Sequence, residues 1–291
     1  MMTQKRGKPY DLLVLEALGN RMTLEHKYHV RYVNLSKGYG GECCLDDRID
    51  KIKHCIVLKD LSFTIGGVDV QLDTVIITSK EVILCEVKNY EGEFVYREES
   101  LYKLDSKIEI YNPLLRLPRS KLLLKQVLKE LNYGHMPVEA VLVYVNPNFS
   151  LYEAPYFSHL VLPTNINSYF EQVEKNLEPL THVHTALADK LCSLNQPKKY
   201  EDNLPQYEYE MLKKGMICLN CNSFIESLAP KHQSICCEQC GSREKVQEAI
   251  ERHVKEYQLL FPERKVGVSA IKEWCGGMVP EKRIRQVLKK K

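Results

Sequence analysis

Residues Val70–Tyr90 read VQLDTVIITSKEVILCEVKNY, and few backbones accommodate that stretch. Two β-rich runs, Val70–Thr78 and Val82–Val87, flank the polar Thr78-Ser79-Lys80. This pattern predicts a β-hairpin buried on at least one face. Alternation along the second strand sends Glu86 and Lys88 to one face and Val87 to the other. If Asp73 meets that strand near Glu86, two carboxylates and an ammonium gather among Ile, Leu and Val. Charges in such surroundings are costly unless they are paired or bind a metal. Two carboxylates suit an oxygen-liganded cation such as Mg²⁺, and the lysine can hold or deprotonate a water. An E-x-K triplet alone also occurs at solvated strand ends, so its apolar frame carries the reading.

The flanking segments extend the frame. Tyr39-Gly40-Gly41 breaks the chain before an expected helix from about Glu42 to Lys53, with Glu42 in its first turn, where the helix dipole favours a carboxylate in any case. Strands are expected at Cys55–Ile65, Val70–Thr78, Val82–Val87 and about Gly92–Leu104, with Gly66-Gly67 turning the chain between the first two. Asn112-Pro113 opens a helix to about Leu131, its first turn kinked or offset at Pro118. Val138–Val145 is almost continuously apolar, as a central strand covered on both faces would be. Helices are also expected at 8–20, 23–36, Asn165–Asn176 and Thr181–Leu194. His182-x-His184 is too sparse for a metal pair, because the two would point apart on a helix.

In their order, Gly41-Glu42, Gln71-Leu72-Asp73 with the following Val-Ile-Ile, Glu86-Val87-Lys88-Asn89-Tyr90, Gly92 and Asn112-Pro113-Leu114 resemble the nuclease-related domain (NERD) family. That family is a branch of the PD-(D/E)xK restriction-endonuclease-like superfamily, and the resemblance covers roughly Tyr39 to Asn146. It implies an α/β fold, a mixed sheet flanked by helices in α-β-β-β-α-β order. It also implies a metal-dependent phosphodiesterase site at Glu42, Asp73, Glu86 and Lys88. Mg²⁺ or Mn²⁺ would be held by Asp73, Glu86 and the Val87 carbonyl. Arg116 stands where glutamine is common in relatives; it would contact a nucleic-acid phosphate or lie on a solvated helix face. Gln126 is a second polar candidate on that helix.

Eleven cysteines do not form a disulfide pattern. Six lie singly or in pairs inside apolar runs, and five cluster between Cys218 and Cys240. Cys218-x2-Cys221 and Cys237-x2-Cys240, fifteen residues apart, have the spacing of tetrahedral Zn²⁺ thiolate ligation. Cys236 could substitute, but only Cys237 keeps the two-residue spacing to Cys240. Gly241 suits the tight knuckle after the last ligand. The zinc is expected to be structural, since a ribbon this small buries little core.

The formal net charge of the 291 residues is only +3. From Ser242 to Lys291, however, thirteen Lys/Arg face seven Asp/Glu. Expected helices at about Ser269–Cys275 and Pro280–Lys290, joined by Gly276-Gly277, suggest a helix-turn-helix-like arrangement. Its second helix carries Lys282, Arg283, Arg285 and Lys289 as candidate phosphate contacts. A hairpin that docks on the rest of the chain reads equally well. No apolar run approaches the ~20 residues that cross a bilayer, and no leader is apparent. A cytoplasmic protein without a membrane partner is therefore expected. The expected divisions are an N-terminal helical brace (1–37), a nuclease-like domain (38–197), a linker (198–213), a zinc ribbon (214–243) and a helical tail (244–291). The function expected is DNA hydrolysis. The alternative is a nucleic-acid-binding or regulatory protein on an inactive nuclease fold, and weaker still is a scaffold whose zinc module recruits a protein.

Overall fold

The computed structural model describes residues 5–156, 159–175, 177–196, 203–228 and 233–289. Residues 198–202, the first part of the segment expected as a linker, and the terminal Lys290 and Lys291 fall outside them. The chain divides into two compact units, Met1–Lys8 with Asn34–Lys199, and Pro9–Val33 with Tyr200–Lys291. The segment 1–37 is thus divided between them rather than forming one brace. The first two helices are α1 (Tyr10–Gly19) and α2 (His26–Ile49).

The first unit is built on a five-stranded sheet of β1 (Ile56–Ile65), β2 (Val68–Ile77), β3 (Val82–Lys88), β7 (Val138–Tyr144) and β9 (Leu160–Val161), in that spatial order. β1–β2 and β2–β3 are antiparallel; β3–β7 and β7–β9 are parallel. The Val70–Tyr90 hairpin forms as read, and β7 is the covered central strand its composition predicts. One face packs on α3 (Leu117–Glu130) and α5 (His182–Leu194), the other on α2 and α4 (Ile166–Glu174). This is a three-layer arrangement, with α-β-β-β-α-β as its underlying order. The β1 edge is capped where the Asn195 side chain and the Gln196 N–H bond to the backbone of Ser62, which blunts an otherwise open ladder.

Two expectations about this unit are corrected. The run 92–104 is not one strand but a hairpin, β4 (Gly92–Arg97) and β5 (Ser100–Lys103). Glu98 and Glu99 make its turn with φ of 48° and 64°, the left-handed values of a two-residue hairpin turn, here without the usual Gly or Asn. With β6 (Glu109–Ile110) and β8 (Phe149–Tyr152) they form a second, four-stranded sheet in the order β6-β5-β4-β8. The second correction is α2, which runs unbroken through Gly38, Gly40 and Gly41. Glu42 is therefore in mid-helix, and the helix dipole gives no reason for it to be there.

The second unit has one core, not a ribbon and a separate helical tail. The hairpin β10 (Ser234–Cys236) and β11 (Arg243–Lys245) leads into α6 (Val246–Leu260), α7 (Val268–Trp274) and α8 (Glu281–Leu288). Val14 and Leu18 of α1, Cys218, Cys237, Val254, Trp274 and Ile284 share a single buried cluster. α7 starts at Val268, one residue before the expected start, and the turn that follows it holds Gly276 and Gly277, whose φ values are 69° and 75°. Among the described residues no helix is long and apolar enough to cross a membrane.

Candidate active site and cysteine cluster

The site begins where β2 and β3 part. Their ladder runs from Ile77↔Val82 to Thr74↔Cys85 and stops there, while β3 stays paired with β7 through Lys88↔Tyr144. The N–H of Val87 is therefore left without a strand partner on that side, and the Asp73 carboxylate takes it at 2.9 Å. In an extended strand the Val87 carbonyl points the same way as its N–H, toward the same opening. Glu86 and Lys88 share one face of β3, and Lys88 Nζ donates to Glu86 Oε1 at 2.9 Å. The Glu86 side chain is 5% exposed. Arg116, at the start of α3, brings Nη1 to 4.0 Å from Glu86 and is half exposed. Gln126 is exposed ten residues farther along α3, where it donates to Glu130. At 1.5 Å per residue that is about 15 Å from Arg116, which removes Gln126 from the site.

Glu42 approaches from the opposite face of the sheet. Leu45 and Ile49 of α2 anchor the helix there, and Gly41 lets it come close. A Cβ at Gly41 would lie 2.6 Å from Asn89 Cβ, and Asn89 is itself held by its bonds to the Lys37 carbonyl and to Asn146. Gly41→Ala is thus expected to push α2 away from the end of β3 and displace Glu42. The expected outcome is a drop in divalent-cation affinity with the zinc content unchanged, read by titration of the folded protein.

Reading the sequence missed Arg6, Asp46 and Lys59. Arg6 donates to Glu42 at 2.8 Å and to both oxygens of Asp46 at 2.9 and 3.1 Å. Lys59 on β1 reaches Asp46 at 3.5 Å and Asp50 at 2.8 Å. The available signal was Glu42 and Asp46 at i, i+4, two like charges on one helix face, with Lys59 inside an apolar strand.

Even so, the carboxylates are short of positive charge. Burial, then the Asp73 charge, pushes Glu42 up to about 8, against the pull of Arg6. Burial, then Glu86, pushes Asp73 up to about 6. Burial works against the charge of Lys88, but Glu86 and Asp73 outweigh it and hold the ammonium above the ordinary lysine range. Because both carboxyl pKa values are raised by folding, their stabilising effect is complete below the unfolded values near 4 and is lost as pH climbs through about 6 and about 8. Thermal unfolding without added Mg²⁺ or Mn²⁺ should therefore come at lower temperature at pH 8.5 than at pH 5.5. Glu42→Gln should flatten that dependence, and a carboxylate-bound cation should stabilise more at the higher pH.

Each carboxylate spends one oxygen on a protein donor: Glu42 Oε2 on Arg6, Asp73 Oδ2 on Val87 and Glu86 Oε1 on Lys88. The three do not close into a tight cage. Among the described residues, the four cysteines are the only set of three or more His, Cys, Asp or Glu ligand atoms all within 4.8 Å of one another.

In that cluster Cys218 and Cys240 Sγ are 3.7 Å apart, and Cys221 and Cys237 Sγ are 3.5 Å apart. Zn–S bonds of about 2.3 Å set the edge of an S₄ tetrahedron at about 3.8 Å, so the thiols are compatible with zinc. The two knuckles correspond: the residue after each second cysteine, Asn222 or Gly241, is left-handed with φ of 59° or 71°. Cys236 is exposed, with its Sγ near the Gly241 carbonyl at 3.8 Å, and is outside the cluster. Lys282, Arg283, Arg285 and Lys289 lie on or just past α8, and Arg285 pairs with Glu281 at 2.8 Å. His184, doubted as a ligand, caps α5 by accepting the Thr181 N–H at 3.0 Å.

No curated protein and no solved structure matches the chain significantly. Glu42, Asp73, Glu86, Lys88 and Arg116 all lie within the stretch 37–145, which matches the family model of the nuclease-related domain (NERD).

Proposed function

We propose that the chain is a Mg²⁺- or Mn²⁺-dependent nuclease that hydrolyses phosphodiester bonds of DNA. The observation that carries this reading is the parting of β2 and β3 at Asp73 and Glu86, with Lys88 beside Glu86, inside a stretch that matches a nuclease-related domain. The donor set suits a hard cation: oxygen atoms only, one oxygen of each carboxylate not used by the protein, and too little positive charge nearby. Mg²⁺ commonly takes one or two carboxylates and completes its shell with water and substrate phosphate, so a tight cage of acids is not required. Asp73 and Glu86 would hold it, with the Val87 carbonyl as a third ligand and Glu42 acting directly or through water. When bound, the cation would supply Lewis-acid activation and neutralise charge on the phosphoryl oxygens.

Lys88 would orient the attacking water and stabilise charge that develops on the phosphate in the transition state. Arg116, half exposed at the rim, would hold a neighbouring phosphate. In the second unit zinc would be structural, and Lys282, Arg283, Arg285 and Lys289 would grip the nucleic-acid backbone without reading its sequence. The test is cleavage of supercoiled plasmid and of single-stranded DNA with Mg²⁺, with Mn²⁺ and with EDTA, beside Lys88→Ala. Metal-dependent cleavage that the variant loses is the expected result. Salt-sensitive binding without cleavage by the wild type would instead make this a binding protein on a nuclease fold.

A further inference from the structure

We propose that Arg6, outside the family match, is a positioning residue that sets Glu42 and Asp73 relative to each other for cation binding; this rests on the nuclease reading above. Its side chain is 2% exposed and spends all three guanidinium nitrogens on two elements. On α2, Nη1 donates to Glu42 Oε2, and Nε and Nη2 grip the two oxygens of Asp46. On β2, Nη2 donates to the main-chain oxygen of Asp73 at 2.9 Å and to Thr74 Oγ1 at 2.8 Å. One planar group therefore ties the helix that carries Glu42 to the strand that carries Asp73, at the very residues proposed to meet the cation.

Asp46 is the counterweight. It lies one helical turn beyond Glu42 and is flanked by Arg6 and Lys59, so its bidentate grip fixes the plane of the guanidinium. Among the described residues Arg6 is the only cation within 4.0 Å of Glu42. The third nitrogen thus fixes Glu42 Oε2 and leaves Oε1 for the site. Desolvated ion networks are a poor route to stability, because taking the charges out of water offsets much of their attraction. A lysine would keep the charge but could not reproduce a fork that meets four acceptor groups at fixed angles.

The test is Mn²⁺ affinity, read from the free-ion electron paramagnetic resonance signal, in wild type, Arg6→Ala, Arg6→Lys, Glu42→Ala and the Arg6→Ala/Glu42→Ala pair. Thermal unfolding and zinc content would be measured beside it. Loss of a group that orients a ligand typically weakens metal binding by about 10–100-fold, which is expected for Arg6→Ala. Arg6→Lys should recover little of it, and added methylguanidinium should recover part of it in Arg6→Ala. In the Glu42→Ala background the Arg6 substitution should cost much less, since it acts through that residue. Wild-type Mn²⁺ affinity in folded Arg6→Ala, or fully additive losses in the pair, would overturn the inference. If Arg6→Ala does not fold, Arg6→Lys with wild-type affinity overturns it equally. A wild type that binds no Mn²⁺ at this site would sink the nuclease reading and the inference with it.

Discussion

Asp73→Ala and Lys88→Ala are expected to lose most of the cleavage for different reasons, and metal binding separates them. On the proposed reading Asp73 would contribute a carboxylate to Mg²⁺, and it is the acceptor for the Val87 N–H at 2.9 Å. Alanine removes both. Metal affinity should fall by at least ~100-fold, the upper end for loss of a group that orients a ligand. The orphaned N–H should cost about 1–3 kcal/mol of stability. Asp73→Asn keeps an acceptor for that N–H and so should recover most of the stability but not the metal. Lys88→Ala removes a cation 2.9 Å from Glu86. With that competitor gone, Mn²⁺ affinity should hold or rise while cleavage falls by ~10²–10⁴, the usual contribution of a general acid–base or charge-stabilising group. Calorimetric Mn²⁺ titration beside plasmid cleavage reads both variants. Equal loss of metal binding in the two would mean that Lys88 serves only to hold Glu86 in place. Full cleavage in both would remove the site altogether.

The sequence exposed this arrangement wherever it is local. Asp73, Glu86 and Lys88 stand out because charges interrupt two strands whose other residues are Val, Ile and Leu, and that contrast needs no knowledge of the fold. The two C-x2-C knuckles stand out because spacing alone fixes where their sulfurs can point. What stayed hidden depends on partners distant along the chain. Arg6 bonds across 36 to 68 residues to Glu42, Asp46 and Thr74, and an arginine in a basic N-terminal stretch carries no mark of burial. Gly40-Gly41 reads as a helix break because glycine costs roughly 1 kcal/mol in a helix. The structure keeps Gly41 in α2 because Asn89 occupies the space a Cβ would need. The β4–β5 turn was invisible because Glu98 and Glu99, not glycines, take its left-handed positions. His253 looks like any histidine on a polar helix until Ile217 and Ala249 are seen to bond both its ring nitrogens.

That histidine belongs to the second large effect expected, the collapse of the second unit when zinc is lost. The protein has a single tryptophan, Trp274, which is fully buried in the core that also contains Cys218 and Cys237. The first knuckle is bolted to α6 and α7 through its backbone. Ile217 donates its N–H to His253 Nε2 at 2.9 Å and accepts from Arg252 at 2.7 Å, and the Gly215 N–H donates to the Trp274 carbonyl at 2.9 Å. Burial pushes His253 down to about 4, so near neutral pH it is the neutral acceptor this bond requires. Arg21 stacks 3.8 Å over the Trp274 ring and pairs with Glu256, which also accepts the indole N–H at 3.1 Å. Small zinc modules draw about 10–16 kcal/mol from the metal, as much as a whole domain's net stability of about 5–15 kcal/mol. Cys237→Ser with Cys240→Ser, or removal of zinc by a strong chelator, should therefore free residues 215–228 and 233–245 and loosen what they are bonded to. The Trp274 emission should shift to the red as its ring meets water, and the unfolding transition of this unit should broaden or vanish. Cys236→Ser should change neither, because its sulfur lies outside the cluster. Unshifted Trp274 emission in zinc-free protein would mean that α1, α6, α7 and α8 hold their core unaided, and that the cysteines shape only the surface they sit on.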